Sequence, residues 1–251
     1  MSDKTVIFKS GLGRTFDVRV IENVKSRSPQ ARQQIIKDIQ GITKKAWADP
    51  GELAEKWLRF SDIVLFAYEQ NDPCGFALGC YIDEDILFLP ATVTVSKAQN
   101  RGLAVFLNGY LIRNFFLHIA STGKRNSNKI TDPFYIVFWT PNPLLYYMVS
   151  RHVELFPSPG RNMPTDKEKE VVGRAINVYS PKSNFDWDNF VDVGCDLTHA
   201  GLLYGKHEIP WCRDKKINEF FESKLELTKQ KGNNFIVTGK ITLEDLLFKR
   251  V

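Results

Sequence analysis

The chain has 251 residues, 43% of them hydrophobic and 25% charged, the balance of an ordinary globular protein with one large domain or two small ones. Its formal net charge of +5 suits an anionic small ligand and is too mild to indicate a nucleic-acid binder. The densest basic runs, Lys124-Arg125 and Arg213 to Lys216, are short and read as solvated surface.

No stretch approaches 18 uninterrupted apolar residues, so no membrane span is expected. The opening MSDKTVIFKSGLGR lacks the apolar core of a signal peptide. Cys74, Cys80, Cys195 and Cys212 form no CxxC pair and match no usual zinc spacing. They read as reduced thiols of a cytoplasmic protein, with no metal site expected.

In chain order, "TVIF" and "TFDVRVI" flank a glycine-containing turn and predict a hairpin, with Phe16, Val18 and Val20 on one face. Gly11-Leu12-Gly13 lacks the third glycine of a nucleotide loop and reads as that turn. Ser28-Pro29 opens a helix whose apolar face is Ile35, Ile39, Ile42 and Ala46. Asp49 to Glu52 has capping-box spacing for a second helix carrying Leu53, Trp57 and Phe60. Three strands follow, "IVLFAYE", "CGFALGCYI" and "ILFLPATVTV", and their short connections imply antiparallel neighbours. A helix from about Gly102 to Ala120 is apolar almost all the way round and reads as a buried helix, with His118 as a core histidine. "PFYIVFW" is a strand and "TPNPLLYYMVSR" begins a short helix. A helix between two strands permits one parallel step in an otherwise antiparallel sheet.

Beyond residue 150 the pattern is weaker. "VELF" suggests a strand, "TDKEKEVVGRAINVY" a helix capped by Thr165, Asp214 to Leu227 a helix and "NNFIVTGKIT" a strand. Asp186 to Tyr204 is ambiguous, and nothing in it shows that Cys195, Asp196 and His199 converge as a nucleophilic site. The expected organisation is a core over 1–160 and a C-terminal elaboration over 161–251, whose last strand, about 234–242, returns to the sheet.

One stretch carries chemistry. Gln99-Asn100-Arg101-Gly102-Leu103-Ala104 follows a strand and opens a helix. The first N–H groups of a helix have no partner within it, and the helix dipole adds about half a positive charge there. Gly102 and Ala104 keep side chains clear of those groups, and Lys97 and Arg101 add positive charge, so the stretch is a plausible pyrophosphate cradle.

The Q-x-x-G-x-A form of Gln99, Gly102 and Ala104, placed after "TVTV" in this order of elements, resembles the GNAT superfamily of N-acetyltransferases over roughly residues 15–157. The resemblance implies an α/β (α+β) fold with a mixed, mostly antiparallel sheet, splayed central strands and flanking helices. It implies acyl-CoA binding through Val93, Thr94 and Val95 for the pantetheine arm. Gln99, Asn100, Arg101, Gly102, Leu103 and Ala104 would hold the diphosphate, and Asn142 would join them. Tyr147, and after it Tyr146, would be the acid that protonates the departing thiolate. The activity implied is N-acyl transfer from acetyl-CoA or a longer acyl-CoA to a small-molecule or peptide amine, with a carrier protein as an alternative donor. "FLPATVTV" has no acid where many relatives place a base, which keeps a second reading open: a non-catalytic GNAT-fold module that binds CoA or a protein partner.

Overall fold

Period-two burial of Phe16, Val18 and Val20 makes Thr15–Glu22 a strand with one buried face. The computed structural model describes residues 3–46, 53–122, 132–180, 183–194, 209–229, 232–242 and 244–245. It divides into two compact units, Met1–Tyr81 with Leu89–His118, and Ile82–Phe88 with Ile119–Val251. The fold is mixed α+β.

In the first unit, β1 (Lys4–Lys9) and β2 (Thr15–Glu22) form the expected hairpin. Its turn closes through Ser10 N–H to Arg14 O and Gly13 N–H to Ser10 O, with Gly13 at φ 79°. β2 pairs β3 (Ile63–Glu69), and β3 pairs β4 (Asp72–Ile82), all antiparallel. The sequence expectation of one strand over "ILFLPATVTV" is corrected: it divides into β5 (Ile86–Leu89) and β6 (Thr92–Thr94) at Pro90, which has no N–H for a ladder. β6 pairs β4 antiparallel.

Helix α1 (Pro29–Ala46) starts where Ser28 accepts from the Ala31 N–H and buries Ile35, Ile39 and Ile42. Helix α2 (Leu53–Phe60) buries Ala54, Trp57 and Leu58; the capping-box residues expected at 49–52 lie outside the described residues. Helix α3 (Leu103–Ser121) buries a stripe of Leu103, Leu107, Leu111, Phe115 and Ile119. Its apolar composition hides one-sided burial, because Val105 and Leu117 are exposed, Leu117 at 55%. His118, expected in the core, is on the exposed side against the ring of Tyr81 at 4.8 Å. Among the described residues α3 alone is long and apolar enough to cross a membrane, by length and composition only. Two of its asparagines are tied to its own unit: Thr92 donates to Asn108, and Tyr81 donates to Asn114, both at 2.7 Å. Those bonds suit a core helix.

In the second unit, β5 neighbours β7 (Phe134–Thr140). β7 pairs along its whole length with β11 (Asn234–Ile241), antiparallel. β8 (Leu155–Phe156) and β10 (Val191–Asp192) also pair β11, and β9 (Phe185–Asp186) pairs β10. Helix α4 (Pro143–Ser150) follows β7, and α5 (Asp166–Tyr179) has the capping box of Thr165 and Glu168. Helix α6 (Lys215–Leu225) is capped by Asp214. Arg174 of α5 clamps the Asp83–Asp85 turn, with Nη2 at 2.7 Å from Asp85 Oδ1. The expected boundary at residue 160 falls inside this unit, between β8 and α5.

Candidate functional site

Eight residues, Val95 to Gly102, connect β6 to α3, and glycine and asparagine shape them. A short 3₁₀ turn, Ser96–Ala98, leads to Gln99 in extended conformation. Asn100 (φ 58°) and Gly102 (φ 78°) are both left-handed. Asparagine tolerates that region, and glycine enters it freely. The Phe106 N–H donates to Gly102 O at 3.0 Å, so Gly102 is the residue at the helix N-cap. It brings no side-chain oxygen, which leaves the N–H groups of Leu103, Ala104 and Val105 without a cap from it. A Cβ built on Gly102 would meet only Phe8 Cζ, at 3.8 Å, so the glycine is there for its dihedral angle and for an open approach.

The cations around this loop differ. Lys97 is ion-paired with Asp72, which also takes Lys45 at 2.8 Å. Hydrogen bonds from Lys45 and Lys97 hold the Asp72 carboxyl down at about 2. Arg14 binds Glu69 at 3.0 Å and Lys97 O at 3.4 Å. Arg101, half-buried, has no ion pair among the described residues. Of the two positive charges expected here, Lys97 is thus the one taken up by an ion pair.

Strand β6 presents its backbone in alternation. The Val95 N–H donates to Cys74 O, and the Leu78 N–H donates to Ala91 O. By the antiparallel ladder, Ala91, Val93 and Val95 face β4 with their peptide groups, and Thr92 and Thr94 face away. Of the three residues expected to bind the pantetheine arm, Thr94 is therefore the one with outward peptide groups. Gln99 folds back and donates to Thr94 O at 3.2 Å, joining the loop to that strand. On the helix side Asn108 takes the Thr92 hydroxyl and donates to Ala104 O at 3.0 Å.

Two contributors were not visible in the sequence reading. Gly75 of β4 lies under β6: a Cβ there would sit 3.0 Å from Val93 O and 3.4 Å from the Leu103 side chain. A glycine inside "CGFALG" is the signal for such an approach. Asn108 was hidden because its partner depends on how α3 lies on the sheet.

The remaining site residues belong to the second unit. Asn142 is the N-cap of α4: its Oδ1 accepts from the Leu145 N–H at 2.9 Å. The Leu144 N–H goes to Pro210 O at 3.1 Å and the Tyr146 N–H to Asn142 O, while Pro143 has no N–H. The two prolines that bracket Asn142 thus belong to a closed helix start. Tyr146 is 1% exposed; its hydroxyl donates to Pro157 O at 2.8 Å and its ring packs edge-on against Phe221. Burial raises its pKa. These are the contacts of a packing residue. Tyr147 is half-buried, and no described residue holds its hydroxyl.

Several titratable groups elsewhere are engaged or neutral. Burial pushes the thiols of Cys74 and Cys80 up to about 11 and about 12, so neither is a thiolate at neutral pH. Asp83 and Asp85 are held by Arg174. Cys195, Asp196, His199 and His207 lie outside the described residues. Among the described residues no three of His, Cys, Asp and Glu are grouped to hold a metal.

No family model and no curated protein matches the sequence. Parts of the chain are similar to solved structures. A GNAT-family acetyltransferase from Streptococcus pneumoniae is 17% identical, over 40% of this chain and 67% of that one, with a TM-score of 0.31. An aminoglycoside N-acetyltransferase, AAC(6')-Iy in complex with CoA, is 18% identical over 40% of this chain and 69% of that one, with a TM-score of 0.29. An acyl-CoA N-acyltransferase from Pseudomonas aeruginosa is 13% identical over 57% of this chain and 92% of that one, with a TM-score of 0.36. Of these three, the first is described as a GNAT-family acetyltransferase and the other two as an N-acetyltransferase and an N-acyltransferase.

Proposed function

We propose that this protein is an N-acyltransferase of the GNAT type, moving an acetyl or longer acyl group from a CoA thioester to an amine by direct attack. The observation that supports this most is the open start of α3. Gly102 at φ 78°, amides it does not cap and Arg101, with no ion pair among the described residues, are grouped where a diphosphate would be held. The residues fit that group by chemistry: N–H donors, a guanidinium and no carboxylate between Val95 and Ala104. Beside them the outward peptide groups of Thr94 would align the acyl arm. Catalysis is then mostly positioning of two reactants, with hydrogen bonding to the thioester oxygen as the electrostatic part. When the amine nitrogen bonds to the acyl carbon, the carbon–sulfur bond breaks, the nitrogen loses a proton to water and the thiolate takes one. Tyr147 is the acid on this reading, because the Tyr146 hydroxyl is engaged by Pro157. The test is free thiol release from acetyl-CoA and longer thioesters across an amine panel, with the acylated amine identified by mass. Thiol release coupled to amine acylation supports the assignment, and donor binding without any acylated amine contradicts it.

The second reading, a non-catalytic binding module, is favoured by one observation. β5 and β6 carry no carboxylate, and of the nearest acids in sequence, Asp83, Glu84 and Asp85, the two aspartates are ion-paired with Arg174. An attacking amine that is already neutral has no ammonium proton to lose before attack and can shed its later proton to water, so a panel including weakly basic amines separates the two.

A further inference from the structure

The start of α3 touches both sides of its own sheet. Leu103 packs over Gly75 of β4, beside β6, while Gly102 lies within van der Waals reach of Phe8 on β1. β1 and β4 are three strand spacings apart, about 14 Å. A ligand whose diphosphate sits on these amides, with its thioester arm along β6, must send its other half toward β1.

What waits there is an aromatic pair carried by the hairpin and the helix. Phe8 stacks on Phe106 with centroids 4.4 Å apart and planes 17° apart, and both rings are half-exposed. Phe106 is on the first turn of α3, next to the uncapped amides. The hairpin turn is fastened to the same loop, because Arg14 reaches Lys97 O. Phe8 shares a strand face with Lys4, whose ammonium sits 5.8 Å from the Tyr110 ring of α3. The β1–β2 hairpin is thus held against the mouth of α3 by contacts at its turn and along its strand.

We propose that this hairpin, through the rim formed by Phe8 and Phe106, holds the purine nucleoside end of the donor, and so selects a CoA thioester over a phosphopantetheine arm carried by a protein. The inference rests on the donor assignment above and adds the nucleoside subsite to it. A purine offers a flat apolar face and edge, the shape an aromatic rim accommodates. A phosphopantetheine thioester ends at its phosphate and never reaches the hairpin.

The test compares two donors, acetyl-CoA and acetyl-4'-phosphopantetheine, by calorimetric affinity for the full chain and two variants. Phe8→Ala removes the ring; Phe8→Leu keeps the apolar contact with Phe106 and Phe16 and guards against loss of the hairpin. Both variants are expected to weaken acetyl-CoA about tenfold, the loss of one base–aromatic contact. The phosphopantetheine thioester is expected to bind all three proteins equally, and more weakly than acetyl-CoA binds the unaltered chain. Equal weakening of both donors, or no weakening of either, overturns the subsite and leaves the donor assignment standing. Absence of binding by both donors to the unaltered chain overturns the donor assignment and the subsite with it.

Discussion

Two helices of this protein begin in the same way on paper and differently in space. α3 and α4 both follow a strand, both open with a short polar stretch, and both are apolar. At α4, Asn142 caps the Leu145 amide, Pro210 takes the Leu144 amide, and Pro143 offers none. Every early donor there has a protein acceptor. At α3 the N-cap is Gly102, which has a left-handed backbone and no side chain, and beside it stands Arg101, which has no ion pair among the described residues. The helix dipole is present at both ends. On the proposed reading, what separates the start of α3 from the structural joint at α4 is whether the cap residue uses the amides itself.

The comparison can be broken most sharply at the tyrosines after α4 begins. Tyr147→Phe is expected to lower kcat roughly a hundredfold, the usual scale for a lost general acid, with donor affinity kept. Tyr146→Phe is expected to keep kcat and instead lose about 1–3 kcal/mol of stability, because Pro157 O is left without its donor in the core. Steady-state kinetics and denaturant melts of the two variants check this. Reversal of the two outcomes would make Tyr146 the acid.

The helix caps give the next effects. Asn142→Ala is expected to cost about 1 kcal/mol, the typical loss of an N-cap. For a chain of this size that lowers Tm by about 2–4 °C, and donor affinity stays as it was. Gly102→Ala is expected to cost a similar ~1–2 kcal/mol, through its left-handed φ alone, since its Cβ has room. Unlike Asn142→Ala, it would also weaken the donor.

The smallest effect concerns Asp72. Its carboxyl is held down at about 2 by Lys45 and Lys97. A depressed carboxyl stays ionised and paired above the unfolded value of about 4, and loses that pairing only as pH falls toward 2. Donor affinity is therefore expected to show no titration step from Asp72 between about pH 5 and pH 9. Asp72→Asn, which releases Lys97, is expected to tighten the donor a few-fold and to steepen its salt dependence. Affinities measured at two ionic strengths check this.

Local patterns made much of this protein legible before its structure. Ser28-Pro29 starts α1, Thr165 with Glu168 starts α5, and Phe16, Val18 and Val20 define a half-buried strand, because each signal sits within a few residues. The loop from Gln99 to Ala104 was legible for the same reason. The rest depended on partners distant in sequence. The β9–β10 hairpin has only two-residue strands; Asp186 makes its turn by accepting from the amides of Asp188 and Asn189, and its pairing is supplied by β11. The acceptor for Tyr146, Pro157 O, is 11 residues away, so no periodicity shows that its hydroxyl is engaged. The outward face of α3 was invisible because an apolar composition does not say which side the sheet will cover.

The central claim is that the open start of α3 holds the donor's diphosphate. It is tested most directly by thermal melting with a series of CoA thioesters from acetyl to palmitoyl, on the unaltered chain and on the double variant Arg101→Glu, Gly102→Asp. A ligand of the folded state raises Tm by mass action, by about 2.7 kcal/mol of added stability at a hundred times its Kd. The account predicts a clear rise for at least one chain length, lost in a double variant that still melts cooperatively. A rise that survives in the double variant would place the donor elsewhere, and no rise with any thioester would contradict the account.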